Sequence, residues 1–149
     1  MPPRASIPPR PVPQRVASRT EGPNFDVELR ADGIGRVRVW RRPDLSRDEG
    51  AHCAQQLAEH MHRLALGARA CIFDMTRAAP TWGPVTHQAL LRMLLPWEAA
   101  AKPIYIIIPE EAITRILLRE LQREAAPTCG KLVASEEMAL TALEGSGKK

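Results

Sequence analysis

The chain has 149 residues, 44% of them hydrophobic and 26% charged, with a formal net charge of +4; that length suits one domain and that hydrophobic share suits a packed core. No apolar run reaches the roughly 18 residues of a membrane span, the first residues lack the uncharged apolar stretch of a secretory signal, and Cys53, Cys71 and Cys129 stand too far apart for a disulfide framework or a C-x-x-C metal pair. The positive charge belongs to the ends, because residues 1–24 carry four arginines and one glutamate, residues 25–147 carry 15 basic and 16 acidic side chains, and Lys148 and Lys149 close the chain; a nearly neutral body argues against a broad nucleic-acid surface.

Residues 1–24 hold seven of the 14 prolines. Proline removes amide donors and fixes φ, so the segment reads as a disordered Pro/Arg-rich tail. Within it, "PPRPVPQR" has the form of a segment offered to an aromatic groove, although a linker role is commoner. Four arginines there give only weak, salt-sensitive attraction to a membrane or nucleic acid.

The folded part is expected over residues 25–144. In "FDVELR" the apolar Phe25, Val27 and Leu29 alternate with Asp26, Glu28 and Arg30, the pattern of a half-buried strand. A three-residue loop with Gly33 left-handed then returns the chain as "IGRVRVW". That register sets Glu28 against Arg36, Asp26 against Arg38 and Val27 against Val37, so charge and apolar pairing agree. It also implies one charged hairpin face open to water.

Next comes a helix with Ser46 as N-cap, Glu49 completing a capping box, and Ala54, Leu57, Met61 and Leu64 as its inward stripe; Gly67 is a plausible stop. "ACIFDM" is a short buried strand, with Cys71 in the core. "GPVTHQALLRMLLPWEAAA" is a helix that tolerates Pro84 in its first turn and is kinked or ended by Pro96. It holds more Leu and Met than one face needs, which raises an apolar ligand or a dimer face as explanations. "KPIYIIIP" suits a strand buried on both faces. The following helix has Ile113, Ile116, Leu117 and Leu121 as its core stripe, with two glutamates at its positive end. "GKLVA" is a last strand, and a short helix capped by Ser135 follows. Residues 145–149 read as a flexible basic C-terminus. The fold class is α/β, a β-hairpin followed by alternating units in the order ββαβαβαβα, with a small mixed sheet backed by helices.

The passage from Asp74-Met75-Thr76 to Gly83-Pro84-Val85, together with this element order, resembles the STAS domain shared by sulfate transporters and anti-sigma factor antagonists. The likeness covers about residues 25–143. In that family the third strand ends in Asp-hydrophobic-Ser/Thr, as at Asp74 and Thr76, and a loop delivers Asp-Ser-Ser-Gly to the next helix. Anchored on Gly83, the phosphoacceptor position falls on Thr81 and its neighbour on Trp82, while Pro80 stands where the family has Asp. The loop is about two residues shorter. The resemblance implies a bacterial, cytoplasmic, non-enzymatic module that binds a protein partner, an anti-sigma or kinase-like regulator, with phosphorylation switching the contact.

Read as side chains alone, these positions have plainer roles as well. Thr81 serves as an N-cap, Asp74 as an acceptor for loop amides, and Trp82 as a packing residue or a partner anchor. Arg115, Arg119 and Arg123 recur every four residues and form an exposed stripe suited to an acidic partner, partly offset by Glu111 and Glu120. His52, His60, His62 and His87 make no metal-binding spacing, and no P-loop, G-x-G-x-x-G or G-x-S-x-G occurs. No cofactor or metal is expected. The function expected is regulatory protein binding through the loop 76–85 and the helix after it, with Asp74, Thr76, Thr81, Trp82 and Gly83 as the partner-binding residues. Carriage of an apolar small ligand or lipid on a related fold is the alternative, and a homodimer is a further partner class.

Overall fold

The computed structural model describes residues 16–147. The elements are β1 (Val16–Glu21), β2 (Phe25–Arg30), β3 (Ile34–Trp40), α1 (Arg47–Gly67), β4 (Ala70–Arg77), α2 (Pro84–Ala99), β5 (Ile104–Ile107), α3 (Ala112–Ala125), β6 (Gly130–Val133) and α4 (Glu136–Gly147). The α/β class is as expected, with one strand more than the sequence pattern gave.

That strand corrects the boundary set at Phe25. Val16–Glu21 pairs antiparallel with β2, so the supposed tail contributes to the sheet; residues 1–15 lie outside the described residues. At the other end, α4 runs through Gly147, so the supposed flexible C-terminus is helical up to that point; Lys148 and Lys149 lie outside the described residues.

The six strands lie in chain order, β1-β2-β3-β4-β5-β6. The first three are antiparallel and the last three join β3 in parallel pairing. Each crossover therefore steps one strand in the same direction, and crossovers of one hand place their helices on one face. The packing agrees. Cys71, Phe73 and Met75 of β4 and Ile104 and Ile106 of β5 share one core with Leu57 and Met61 of α1, Leu90 and Met93 of α2 and Leu118 and Leu121 of α3. The alternate residues Ala70, Ile72, Tyr105 and Ile107 pack with Ala139 and Leu143 of α4 on the other face. The two central strands are thus buried on both sides, which is why "CIF" and "IYII" are continuously apolar.

The hairpin register is the expected one: Glu28 lies opposite Arg36, Asp26 opposite Arg38 and Val27 opposite Val37, and Gly33 has φ +89°. Its charged face, however, is not open. Asp26 is 4% exposed and Glu28 8%. Arg19 of β1 reaches across to Asp26 Oδ2 at 3.1 Å and to Glu28 Oε1 at 3.7 Å. Arg36 Nε reaches Glu136 of α4 at 2.7 Å. Carboxylates leave water only when paired, and the added strand supplies the partner.

The helices differ from expectation in two places. In α3 the buried residues are Thr114, Leu118, Leu121 and Ala125, while Ile113 and Ile116 are more than half exposed. The inward stripe is rotated from the expected one and includes Thr114, fully buried, whose hydroxyl is satisfied by donating to the Pro80 carbonyl at 2.8 Å. In α2 the helix continues past Pro96 to Ala99. Its apolar surplus has a plain cause: α2 lies between α1 and α3 over the sheet, so Ala89, Leu90, Leu91, Met93, Leu94 and Trp97 are all buried. In α1 the capping box forms as read: Ser46 Oγ accepts from Glu49 N–H at 3.1 Å, and Glu49 accepts from Ser46 N–H at 3.0 Å.

Two glycines report how closely α1 sits on the sheet. A Cβ on Gly35 would lie 2.7 Å from Leu64 Cδ2 and 3.0 Å from its Cγ, whereas a Cβ on Gly50 meets nothing within 4 Å. Gly35→Ala is expected to cost about 1–3 kcal/mol through overpacking. Gly50→Ala is expected to gain about 0.4–1 kcal/mol by restricting the unfolded chain at a helical position. Urea denaturation of both variants measures the pair; equal and small effects would contradict the contact at Gly35.

Candidate functional site

Three segments meet beyond the carboxyl ends of β3 and β4. The first is the turn from Trp40 to Ser46. Trp40 N–H donates to the Asn24 carbonyl at 3.0 Å and Arg41 N–H to the Arg77 carbonyl at 2.8 Å, which ties the ends of β2, β3 and β4 together. The second is the start of α1, fixed by the Ser46–Glu49 box. The third is the loop after β4, which enters α2 at Gly83, with Pro84 in the first turn.

Between them lies a cleft of about 410 Å³. Val39, Leu57, Met75, Leu90 and Met93 form an apolar floor, and Arg41, Arg42, Arg47, Thr81 and Trp82 stand around it. Open α/β sheets place ligands at this end of their strands, and two helices, α1 and α2, direct their positive N-termini toward it.

The candidate residues of the loop divide between two faces. Thr81, Trp82 and Gly83 line the cleft. Asp74 and Thr76 do not: strand alternation turns them to the α4 side, and they bond each other. Asp74 Oδ1 accepts from Thr76 N–H at 2.9 Å and from its hydroxyl at 2.6 Å. The strand-end acid thus bonds a residue of its own strand, two positions on. Trp82 packs against the core and its Nε1–H donates to His87 Nδ1 at 3.3 Å. Thr81 is exposed and does not cap α2, because the N-cap is Gly83, which offers no side-chain bond. The capping role assigned to Thr81 is therefore wrong by two residues: the short loop brings glycine to the cap.

Arg115, Arg119 and Arg123 are exposed on α3, as expected, and none makes an ion pair among the described residues. Their helix is fastened to the loop through the Thr114–Pro80 bond. The exposed Ile113 and Ile116 stand among them, and Val85, also half exposed, opens α2 beside the loop.

The α1 side of the cleft was missed in sequence. Arg42 forms an ion pair with Asp44 and donates to the Pro23 carbonyl at 3.2 Å. The hydrogen bond from Arg42 to Asp44 holds the Asp44 carboxyl below its ordinary value. The Ser46 backbone N–H does the same for Glu49. Burial pushes the Cys53 thiol up, so this cleft residue stays protonated near neutrality. Arg47 lies across the start of α2: a Cβ on Gly83 would sit 3.4 Å from its Nε. Among the described residues no group of three His, Cys, Asp or Glu side chains could hold a metal ion, and no helix is long and apolar enough to cross a membrane. Comparison with family models, with curated proteins and with solved structures finds no match.

The capping box at the cleft edge gives a test with a sign. Glu49's folded pKa lies below its ordinary 4.5. Its contribution is therefore complete above pH 4.5 and is lost as pH falls through the lower folded value. Ser46→Ala is expected to cost about 1 kcal/mol at pH 7, and Glu49→Gln to flatten the acid side of the stability profile. Thermal melts from pH 3 to pH 7 check both; a Glu49→Gln profile parallel to wild type would contradict the box.

Proposed function

We propose that this chain is a non-enzymatic regulatory module of STAS-like type that binds an acidic surface of a protein partner, an anti-sigma or kinase-like regulator, through the loop 76–85, the start of α2 and the outer face of α3. The observation that carries this reading is the composition of the α3 face. Ile113 and Ile116 are 52% and 56% exposed, and they alternate with three arginines that have no acidic partner among the described residues. Exposed isoleucines and arginines without ion pairs, sharing the helix with the exposed Glu120 and Glu124, are the make-up of a contact surface, since arginine and apolar anchors carry binding energy when covered. The Thr114–Pro80 bond, on the buried side of α3, holds the start of that helix beside the loop.

Thr81 is the switch position in this reading. Its hydroxyl is exposed, and it precedes α2 by three residues, so a phosphate there would meet the helix N-terminus and Arg47. The resemblance of Asp74-Met75-Thr76 and Gly83 to the family pattern supports the same choice.

The experiment is a pull-down from the source organism with the tagged full chain, comparing wild type with the double variant Arg115→Glu/Arg119→Glu and with Thr81→Glu, quantified by mass spectrometry. A partner held by wild type is expected to fall at least tenfold on the double variant and to change on Thr81→Glu. Retention of the same partner at the same level by the charge-reversed chain, with an unchanged melting temperature, would overturn the reading.

A further inference from the structure

The cleft at the end of β3 and β4 is built unevenly, and its chemistry is separate from the α3 face. Its floor is aliphatic, from Val39, Leu57, Met75, Leu90 and Met93. Its edge is cationic. Arg42 is already engaged by Asp44, but Arg41 and Arg47 make no ion pair among the described residues. Arg47 is placed where an unpaired cation is least favourable. Its guanidinium lies against Gly83, the N-cap of α2, where the helix already presents partial positive charge and no side chain caps the amides. A group that is negative at one end and apolar over the rest matches both the cationic edge and the aliphatic floor.

We infer that the cleft binds a small amphipathic anion: an apolar body resting on the Leu57–Met75–Met93 floor, with a carboxylate or phosphate head held by Arg47 and Arg41. At about 410 Å³ the cleft is near the small end of the roughly 300–1,000 Å³ typical of small-molecule pockets. Its occupant is therefore a single short-chain molecule. The head accepts charge-assisted hydrogen bonds from guanidinium, whose planar fork suits both oxyanions. The inference does not depend on the partner-docking reading, because none of Ile113, Ile116, Arg115 or Arg119 lines this cleft.

The test uses the full-length protein with three probes of equal chain length: octanoate, octyl phosphate and octan-1-ol. Calorimetry gives the affinity, and tryptophan fluorescence reports the site, since Trp40 and Trp82 line the cleft and Trp97 is buried in the core. At least one of the two anions is expected to bind at least tenfold more tightly than the alcohol, and the tighter one names the head group. Arg41→Ala/Arg47→Ala should remove that preference while leaving the alcohol's weak affinity in place. Gly50→Leu, which projects a side chain into open space from the cleft wall, should weaken every probe at least tenfold while the helix stays folded. Absence of binding by both anions at millimolar concentration, equal affinity for alcohol and anions, or undiminished binding by Gly50→Leu would each overturn the inference.

Discussion

The constraint on which the rest depends is that each parallel strand is laid beside its predecessor. From β3 to β6 the sheet grows in one direction, so α1, α2 and α3 fall on one face and α4 is left to cover the other. This arrangement makes α2 the middle of a three-helix layer and absorbs its apolar surplus. It also brings the starts of α1 and α2 together at the carboxyl ends of β3 and β4, with the start of α3 next in line beside the loop. The cleft and the exposed α3 face are both products of that single geometric rule.

The same rule explains the charged half of the sheet. Among the described residues α4 meets β3 through Ile34 and the Arg36–Glu136 pair, and the cluster it covers includes no residue of β1 or β2. Asp26 and Glu28 nevertheless leave water, because β1 brings Arg19 alongside them. A buried ion pair of this kind adds little net stability, since desolvation offsets the attraction. Its effect is on register: a slip of one residue would set apolar side chains where the carboxylates are, and carboxylates against α1. The antiparallel half of the sheet is thus fixed by burial on one face and charge on the other, and the central parallel strands by burial on both.

How much of this was legible in sequence follows from which signals were redundant. The β2–β3 register was readable because charge pairing and apolar pairing gave the same answer at Asp26, Val27 and Glu28. Strand β1 was not: all six of its residues are exposed, so "VASRTE" has no alternation to detect, and the prolines before it dominate the window. The α3 stripe was misphased because hydropathy ranks Ile113 and Ile116 above Thr114 and Ala125. The buried set is Thr114, Leu118, Leu121 and Ala125, a regular helical stripe in which Thr114 is accommodated by its hydrogen bond to the Pro80 carbonyl. The loop residues Thr81, Trp82 and Gly83 were found, but that Arg41, Arg42 and Arg47 line the same cleft was not, because they are distant in sequence and meet the loop only when the strand ends align.

The two proposed contacts converge on the loop between Arg77 and Pro84. Pro80 holds it to α3, while Thr81, Trp82 and Gly83 form one wall of the cleft. A partner on the α3 face and an anion in the cleft can influence each other only by preferring different arrangements of a shared element, and this loop is the element both would touch. Arg47 sharpens the point. A phosphate on Thr81 and the head group of a cleft ligand would both be drawn to the same guanidinium at the N-terminus of α2. Two anions there repel one another, so modification and ligand would compete rather than add.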